Sequence, residues 1–304
     1  MQPYHALYQS GELLQRVKEG YRRLAACDLC PHRCGVNRIR GGQGRCKSAL
    51  KPRIASANLH RGEEPPISGS KGSGTIFFSG CTLSCVFCQN FPISQQNTGE
   101  TISTRELARR MLQLQKRGAH NLNLVTATHW LPQFLAALWL AIPQGFSLPV
   151  VWNSSGYEEV DALQLLDGVV SIYLPDMKYS DDAQAVELSA APGYTAINRL
   201  AVQEMLRQVG QLQLDDDGIA VRGLIIRHLV LPENRAGSAE TLVWIAGHLG
   251  QEAHIALMSQ YFPAHRAVSL VGIDRKVMFD EYDAVVAILS MHGLESGWVQ
   301  DCDA

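Results

Sequence analysis

With 304 residues, 46% of them apolar and 18% charged, the chain can bury a large core and lacks the composition of long disordered tails. A formal net charge of −2 with no dense basic run argues against nucleic acid as an obligatory partner. Eight cysteines, seven of them between Cys27 and Cys88, follow an N-terminus without the basic-then-apolar order of a secretory signal. They point to metal chemistry in a reducing compartment rather than to disulfides.

The length suits two average domains, but barrels of alternating strands and helices run to about 250 residues as one unit. The most apolar segment, residues 131–143, falls short of the ~20 residues a membrane helix requires. A cytoplasmic protein is expected.

Residues 11–26 read as a helix, with Leu13, Leu14, Val17, Tyr21 and Leu24 on one broad face. A first cysteine group follows: Cys27-x2-Cys30-x3-Cys34-x11-Cys46, loosened by Gly35, Gly41, Gly42 and Gly44. Four thiols in a glycine-rich knuckle suffice for one closed structural zinc site or one fully ligated iron–sulfur cluster. The glycine run lacks the Lys-Ser/Thr and the preceding strand of a phosphate loop. Residues 51–66 read as a polar connector ending in Pro65-Pro66. They divide the chain into an N-terminal knuckle unit (1–66) and a main domain (67–304).

Residues 75–79 form a short apolar strand, and directly at its end stands G-C-T-L-S-C-V-F-C-Q-N-F-P, residues 80–92. Cys81, Cys85 and Cys88 have C-x3-C-x2-C spacing, with Phe87 before the third. A zinc ribbon would need a second ligand pair nearby, and none follows. Three thiolates in eight residues wrap one face of a 4Fe–4S cube and leave one iron open, where four ligands are usual. An open iron that takes a small molecule is the arrangement for reductive cleavage of S-adenosylmethionine (SAM).

Strand and helix patterns then alternate. Ser103 and Glu106 form a capping box ahead of Leu107, Met111 and Leu114, and Gly118 stops that helix. Strands are expected over 121–126, 149–153, 169–174, 224–231 and 254–258. Helices are expected over 133–142, 158–166, 184–188, 197–209, 239–249 and 281–291. Residues 211–220, with Asp215, Asp216, Asp217 and Gly218, read as a hairpin around a solvated turn, and residues 297–304 as a tail carrying Cys302. Six strand–helix units imply an α/β fold: a partial (β/α)6 TIM-type barrel with right-handed crossovers and a small N-terminal cysteine-rich extension.

The cysteine loop, with N-S-S-G-Y-E at 153–158, Y-L-P-D-M-K-Y at 173–179, I-R-H-L-V-L-P at 226–232 and S-Q-Y at 259–261, resembles the radical SAM superfamily. Residues 70–265 look most like pyruvate formate-lyase activating enzymes and their relatives with an added N-terminal cysteine motif. The resemblance implies a 4Fe–4S cluster on Cys81, Cys85 and Cys88, with SAM as cofactor beside Phe87. It implies a flavodoxin- or ferredoxin-like reductant and no membrane.

Activating enzymes carry a Gly-Gly-Glu motif for the SAM amino group after their second strand. This chain has Thr126-Ala127-Thr128-His129 there, so Thr126, Thr128 or His129 is expected to supply that contact. Asn153 and Ser154 match the turn after the third strand. Asp176 and Lys178 match a D-x-K motif near the SAM methionyl or ribose, where a Lys makes a charge-assisted bond to a carboxylate. One of Arg227 and His228 must face inward, and the resemblance to activating enzymes matches Arg227 to an Arg near the substrate. Gln260 matches an adenosine contact. The implied reaction abstracts hydrogen from a glycine of a partner glycyl radical enzyme, or from another peptide, cofactor or small molecule. A bare iron–sulfur electron carrier is the remaining reading, and it has no use for a six-unit barrel.

Overall fold

A computed structural model describes residues 2–302. Among them ten strands form one sheet: β1 (Arg53–His60), β2 (Ser73–Phe78), β3 (Glu100–Thr101), β4 (Leu122–Val125), β5 (Val150–Ser154), β6 (Ile172–Pro175), β7 (Gln213–Leu214), β8 (Ala220–Leu229), β9 (His254–Met258) and β10 (Gly297–Val299). Their order is β10-β9-β8-β6-β5-β4-β2-β1-β3, with β7 hairpinned onto β8. The run β2, β4, β5, β6, β8, β9 is parallel and in chain order. These six strands and their crossover helices make the α/β partial barrel.

Three segments differ from expectation. Residues 53–60 are not connector but β1, antiparallel to β2 with His60 opposite Ser73. That strand buries only Ile54 fully, so its polar residues mask the strand signal. The tail begins with β10, parallel to β9 through Trp298 opposite Ala256; residues 303 and 304 lie outside the described residues. An unforeseen helix, Tyr4–Gln9, precedes Glu12–Arg23.

Side chains split by the period of two. Leu122, Leu124, Trp152, Tyr173, Ile226 and Leu257 face outward into the helix layer formed by Thr104–Lys116, Leu131–Ala141, Tyr194–Val209 and Ser238–Leu249. Val151, Ile172, Leu174, Ile225 and Ala256 face inward and meet Ile67, which rises from the one-turn helix Pro65–Ser68. Ile67 thus fills the base of the barrel. Toward the carboxyl ends of the strands the inner face turns polar, with Asn153, Asp176 and Arg227.

Two buried histidines make the fold acid-sensitive. His228 faces outward from β8, its Nδ1 donating to the Met177 carbonyl (2.6 Å) and its Nε2 accepting from Ser238 Oγ (2.8 Å). Burial lowers it from 6.5 to about 4, and His129 to about 3. The unfolded chain binds these protons first, so stability is full above pH 6.5 and lost as pH falls toward the folded values. Each histidine costs about 1.4 kcal/mol per pH unit in that window. In urea melts between pH 6.5 and 4, His228→Gln should lose stability less steeply than wild type by one proton's worth; equal slopes would contradict this.

Candidate functional site

The cysteine loop leaves β2 at Gly80 and runs to the short helix Phe91–Ser94. Leu83, Val86 and Phe87 anchor it in a satellite core with Tyr157, Tyr179 and Tyr261, and the Phe87 ring meets Tyr261 edge-on at 5.7 Å. Backbone bonds clamp both sides. Ser84 N and Val86 N donate to the carbonyls of Ser189 (2.9 Å) and Leu188 (2.8 Å), while Val86 O accepts from Arg266 N and Ala267 N. The loop is therefore preformed, with its three thiols partly exposed.

Each of those sulfurs has a polar partner. Leu83 N donates to Cys81 Sγ (3.3 Å), Ser189 Oγ to Cys85 Sγ (2.9 Å), and Cys88 Sγ pairs with Ser94 Oγ (3.2 Å). Burial pushes the Cys81 and Cys85 thiols up; neighbouring cysteines add to this, and Lys178 pulls Cys85 back. Three thiolates in one shielded place need a multiply charged cation among them. Among the described residues no three Cys, His, Asp or Glu side chains converge on a point suited to a single metal ion. A 4Fe–4S cluster meets its thiolates on separate irons, and the loop's donor set fits it.

Facing the loop is a charge network at the carboxyl ends of β6 and β8. Asp176 Oδ1 accepts from Arg227 Nε (2.9 Å) and Nη2 (2.8 Å), and its Oδ2 from Lys178 Nζ (2.6 Å). Burial alone would raise the Asp176 carboxyl; the Arg227 and Lys178 charges outweigh it and hold the group below the usual range. Burial would likewise lower Lys178, but Asp176 and then Cys85 hold it above the ordinary lysine value. Lys178 thus stands between the carboxylate and the cysteine loop.

The remaining sequence candidates divide. Asn153 lies on the inner face of β5, its Nδ2 3.5 Å from Glu63 Oε2. Thr126 adopts φ +59° and its N–H donates to Asn153 O (2.9 Å), which leaves its half-buried side chain at the strand end. Gln260 is exposed, and its carbonyl accepts from Gln89 of the cysteine loop (3.2 Å). Thr128, His129 and Ser154, by contrast, lie in the interior rather than at the mouth. Thr128 Oγ1 and Ser154 Oγ both donate to Glu158, as does Trp152 Nε1. His129 Nε2 donates to Ser79 O (2.9 Å). With Thr128, Ser154 and His129 Nε2 committed, and His129 Nδ1 buried without a partner among the described residues, Thr126 alone of its group lies at the mouth.

Glu158 escaped the sequence reading although it ends the quoted N-S-S-G-Y-E run. It is buried, and burial raises its carboxyl despite three donors. Its role is to tie the ends of β4 and β5 together.

The knuckle packs directly on this site. Arg38, fully buried, donates to His129 O (2.7 Å) and Ala49 O (3.0 Å) and lies over the Trp130 ring at 5.0 Å. His32 Nε2 donates to Thr82 O (2.7 Å) inside the cysteine loop. Cys27, Cys30, Cys34 and Cys46 share one neighbourhood, where burial pushes the Cys30 thiol up to about 12, with Cys46, Cys27 and Cys34 adding to it.

No family model matches the chain. It resembles solved structures of TYW1 with a lysine-pyruvate adduct bound (11% identity, 75% of this chain and 76% of that one, TM-score 0.46) and HydG, a maturase of the [FeFe]-hydrogenase (12%, 72% and 48%, TM-score 0.47). Streptococcus suis SuiB is similarly distant (10%, 76% and 48%, TM-score 0.46). Likenesses this remote carry no argument about the reaction. The uncharacterized protein MJ0674 of Methanocaldococcus jannaschii is 30% identical over 277 residues, 88% of this chain and 75% of that protein. At that identity and coverage, the chain belongs to the same family as MJ0674.

Proposed function

We propose that this chain is a radical SAM enzyme. One observation carries the reading: three partly exposed thiols at C-x3-C-x2-C spacing sit at the carboxyl end of the first parallel strand, against a largely buried Lys178–Asp176–Arg227 network. Cys81, Cys85 and Cys88 would hold the 4Fe–4S cluster. When bound, that cluster would supply one-electron reductive chemistry toward SAM.

The protein's own groups do the positioning. Lys178 presents an ammonium beside the cysteine loop, suited to the SAM carboxylate, and Asp176 fixes both Lys178 and Arg227 in place. Thr126, Asn153 and Gln260 lie around the mouth as polar contacts. Phe87 and Tyr261 close its wall against water. Ser189 and the Leu83 amide donate to cysteine sulfurs, and such bonds set a cluster's potential. A flavodoxin- or ferredoxin-like protein would be the reductant. Cys27, Cys30, Cys34 and Cys46 of the knuckle would hold a second metal group, zinc or iron–sulfur; since no three described side chains converge as a single ion requires, iron–sulfur is the better fit.

The hydrogen taken would come from a glycine of a partner enzyme, as the resemblance to activating enzymes implies, or from a small molecule. The polar inner face of the barrel favours the second. The test is anaerobic reconstitution with iron and sulfide, then dithionite and SAM: 5′-deoxyadenosine is expected, and none from intact cluster would overturn the proposal.

A further inference from the structure

The charges of this chain are unevenly placed. Between Asp28 and Glu63 stand eight of its 27 Lys and Arg and none of its 29 Asp and Glu. Three of the eight are set apart: Arg38 is buried, Arg33 is paired with Glu159 (2.6 Å), and Arg61 lies past the far end of β1. Of the other five, Arg40, Arg45, Lys47 and Lys51 are exposed and Arg53 is half-buried. None of these five makes an ion pair among the described residues. The Glu100 carboxylate, which β3 brings alongside β1, pairs with Arg110 instead (3.5 Å).

A hollow of about 330 Å³ gathers them at the seam of knuckle and sheet. Lys47, Lys51 and Arg53 border it, Leu50 and Trp130 form its apolar lining, and no Asp or Glu lines it. Arg40 and Arg45 belong to the loop whose Ile39, Gly41 and Gln43 complete the wall. Two of the cations are fixed in place. Lys47 Nζ donates to Gln95 O (2.8 Å), and Arg53 donates to Asn97 O (3.0 Å) and Thr101 Oγ1 (3.2 Å). Neutral oxygens hold these charges without cancelling them.

The same bonds tie the patch to the cysteine loop. Gln95, whose carbonyl takes Lys47, donates through Nε2 to Cys85 O (2.8 Å). Ser79 N, at the end of the strand that feeds the loop, donates to Arg53 O (3.0 Å). The patch is therefore two hydrogen bonds from Cys85.

Shape and charge name the guest's class. The fixed cations are anchored on separate oxygens, which suits carboxylates spread over a surface better than one small anion. A nucleic-acid strand would need aromatic rings to stack on; residues 29–62 contain no Phe, Tyr or Trp, and Trp130 is 1% exposed. Opposite potentials steer and orient protein partners. We propose that Arg40, Arg45, Lys47, Lys51 and Arg53 form the docking surface for an acidic one-electron carrier protein. That the partner carries electrons rests on the radical SAM reading; that the surface takes an acidic protein does not.

The experiment is calorimetric titration of the full chain with a flavodoxin and with a ferredoxin at about 0.1 M salt, where charges farther apart than about 10 Å are screened. At least one carrier should bind saturably and weaken as salt rises. The double variant Arg40→Glu/Lys51→Glu should weaken that complex by about tenfold or more. Arg61→Glu makes the same kind of charge change about 25 Å along β1 from Arg53 and should stay within about twofold. If the double variant alters the melting profile, Lys51→Glu alone decides, with about threefold or more expected. The proposal is overturned if neither carrier binds, if Arg61→Glu weakens the complex as much as the patch variants, or if inorganic pyrophosphate or a single-stranded RNA binds more tightly than either carrier and is the ligand the patch variants lose. Failure to form 5′-deoxyadenosine with dithionite would count against the reaction alone, because the titration needs no SAM.

Discussion

Replacing Asp176 with alanine is expected to destabilise the protein by about 3–5 kcal/mol, the usual result of stripping one partner from a buried ion pair. Three bonds at 2.6–2.9 Å vanish, and Arg227 and Lys178 are left facing each other with side chains only 20% and 17% exposed. Asp176→Asn should cost less, since one carbonyl oxygen remains to accept from Arg227. The effect has a pH signature. The depressed carboxyl stabilises the fold above the ordinary aspartate pKa, and that contribution is lost as pH falls through the folded value. Wild type and Asp176→Ala should therefore differ at pH 7 in urea unfolding and converge in acid. A difference under about 1 kcal/mol at pH 7 would contradict the network's role.

Gly80→Ala should be the most damaging change at the knuckle–barrel seam. Gly80 has φ +85°, where an alanine costs about 1–2 kcal/mol of backbone strain. Its Cβ would stand 2.5 Å from the Cys46 carbonyl oxygen, 3.0 Å from His129 Nε2 and 3.1 Å from Ser48 Oγ. The first is main chain and the second is locked on Ser79, so the knuckle must move. Gly80→Ala should lose a few kcal/mol, on the order of 2–4 with the overlap added, and residues 27–48 should become protease-sensitive. A cleavage pattern like wild type would show that the seam tolerates the methyl group.

How legible all this was depends on how local each signal is. The cysteine loop is a matter of spacing within eight residues, and the six parallel units follow from long apolar runs broken by capped helices such as Thr104–Lys116, where Ser103 accepts from Glu106 N. β1 was lost because it lies on the outer side of β2, with Asn58 and His60 exposed. β10 was lost because three residues carry no period. Among the candidate site residues, Asp176, Lys178 and Arg227 meet because parallel register bridges Asp176 to Arg227.

Thr128 and His129 follow a strand, where functional groups gather, and both side chains are buried. The αL turn at Thr126 instead aims them into the interior. Glu63, beside Glu64 and ahead of two prolines, reads as a solvated connector, yet its side chain is 7% exposed and bonds His60 and Asn153.

The central claim is tested most directly by counting 5′-deoxyadenosine from anaerobically reconstituted protein given dithionite and SAM, with wild type beside Cys85→Ala. Product is expected from wild type and none above background from Cys85→Ala, since the substitution removes one of the three proposed cluster ligands and the Ser189 bond with it. Equal yields from both, or no product from wild type with intact cluster, would contradict it.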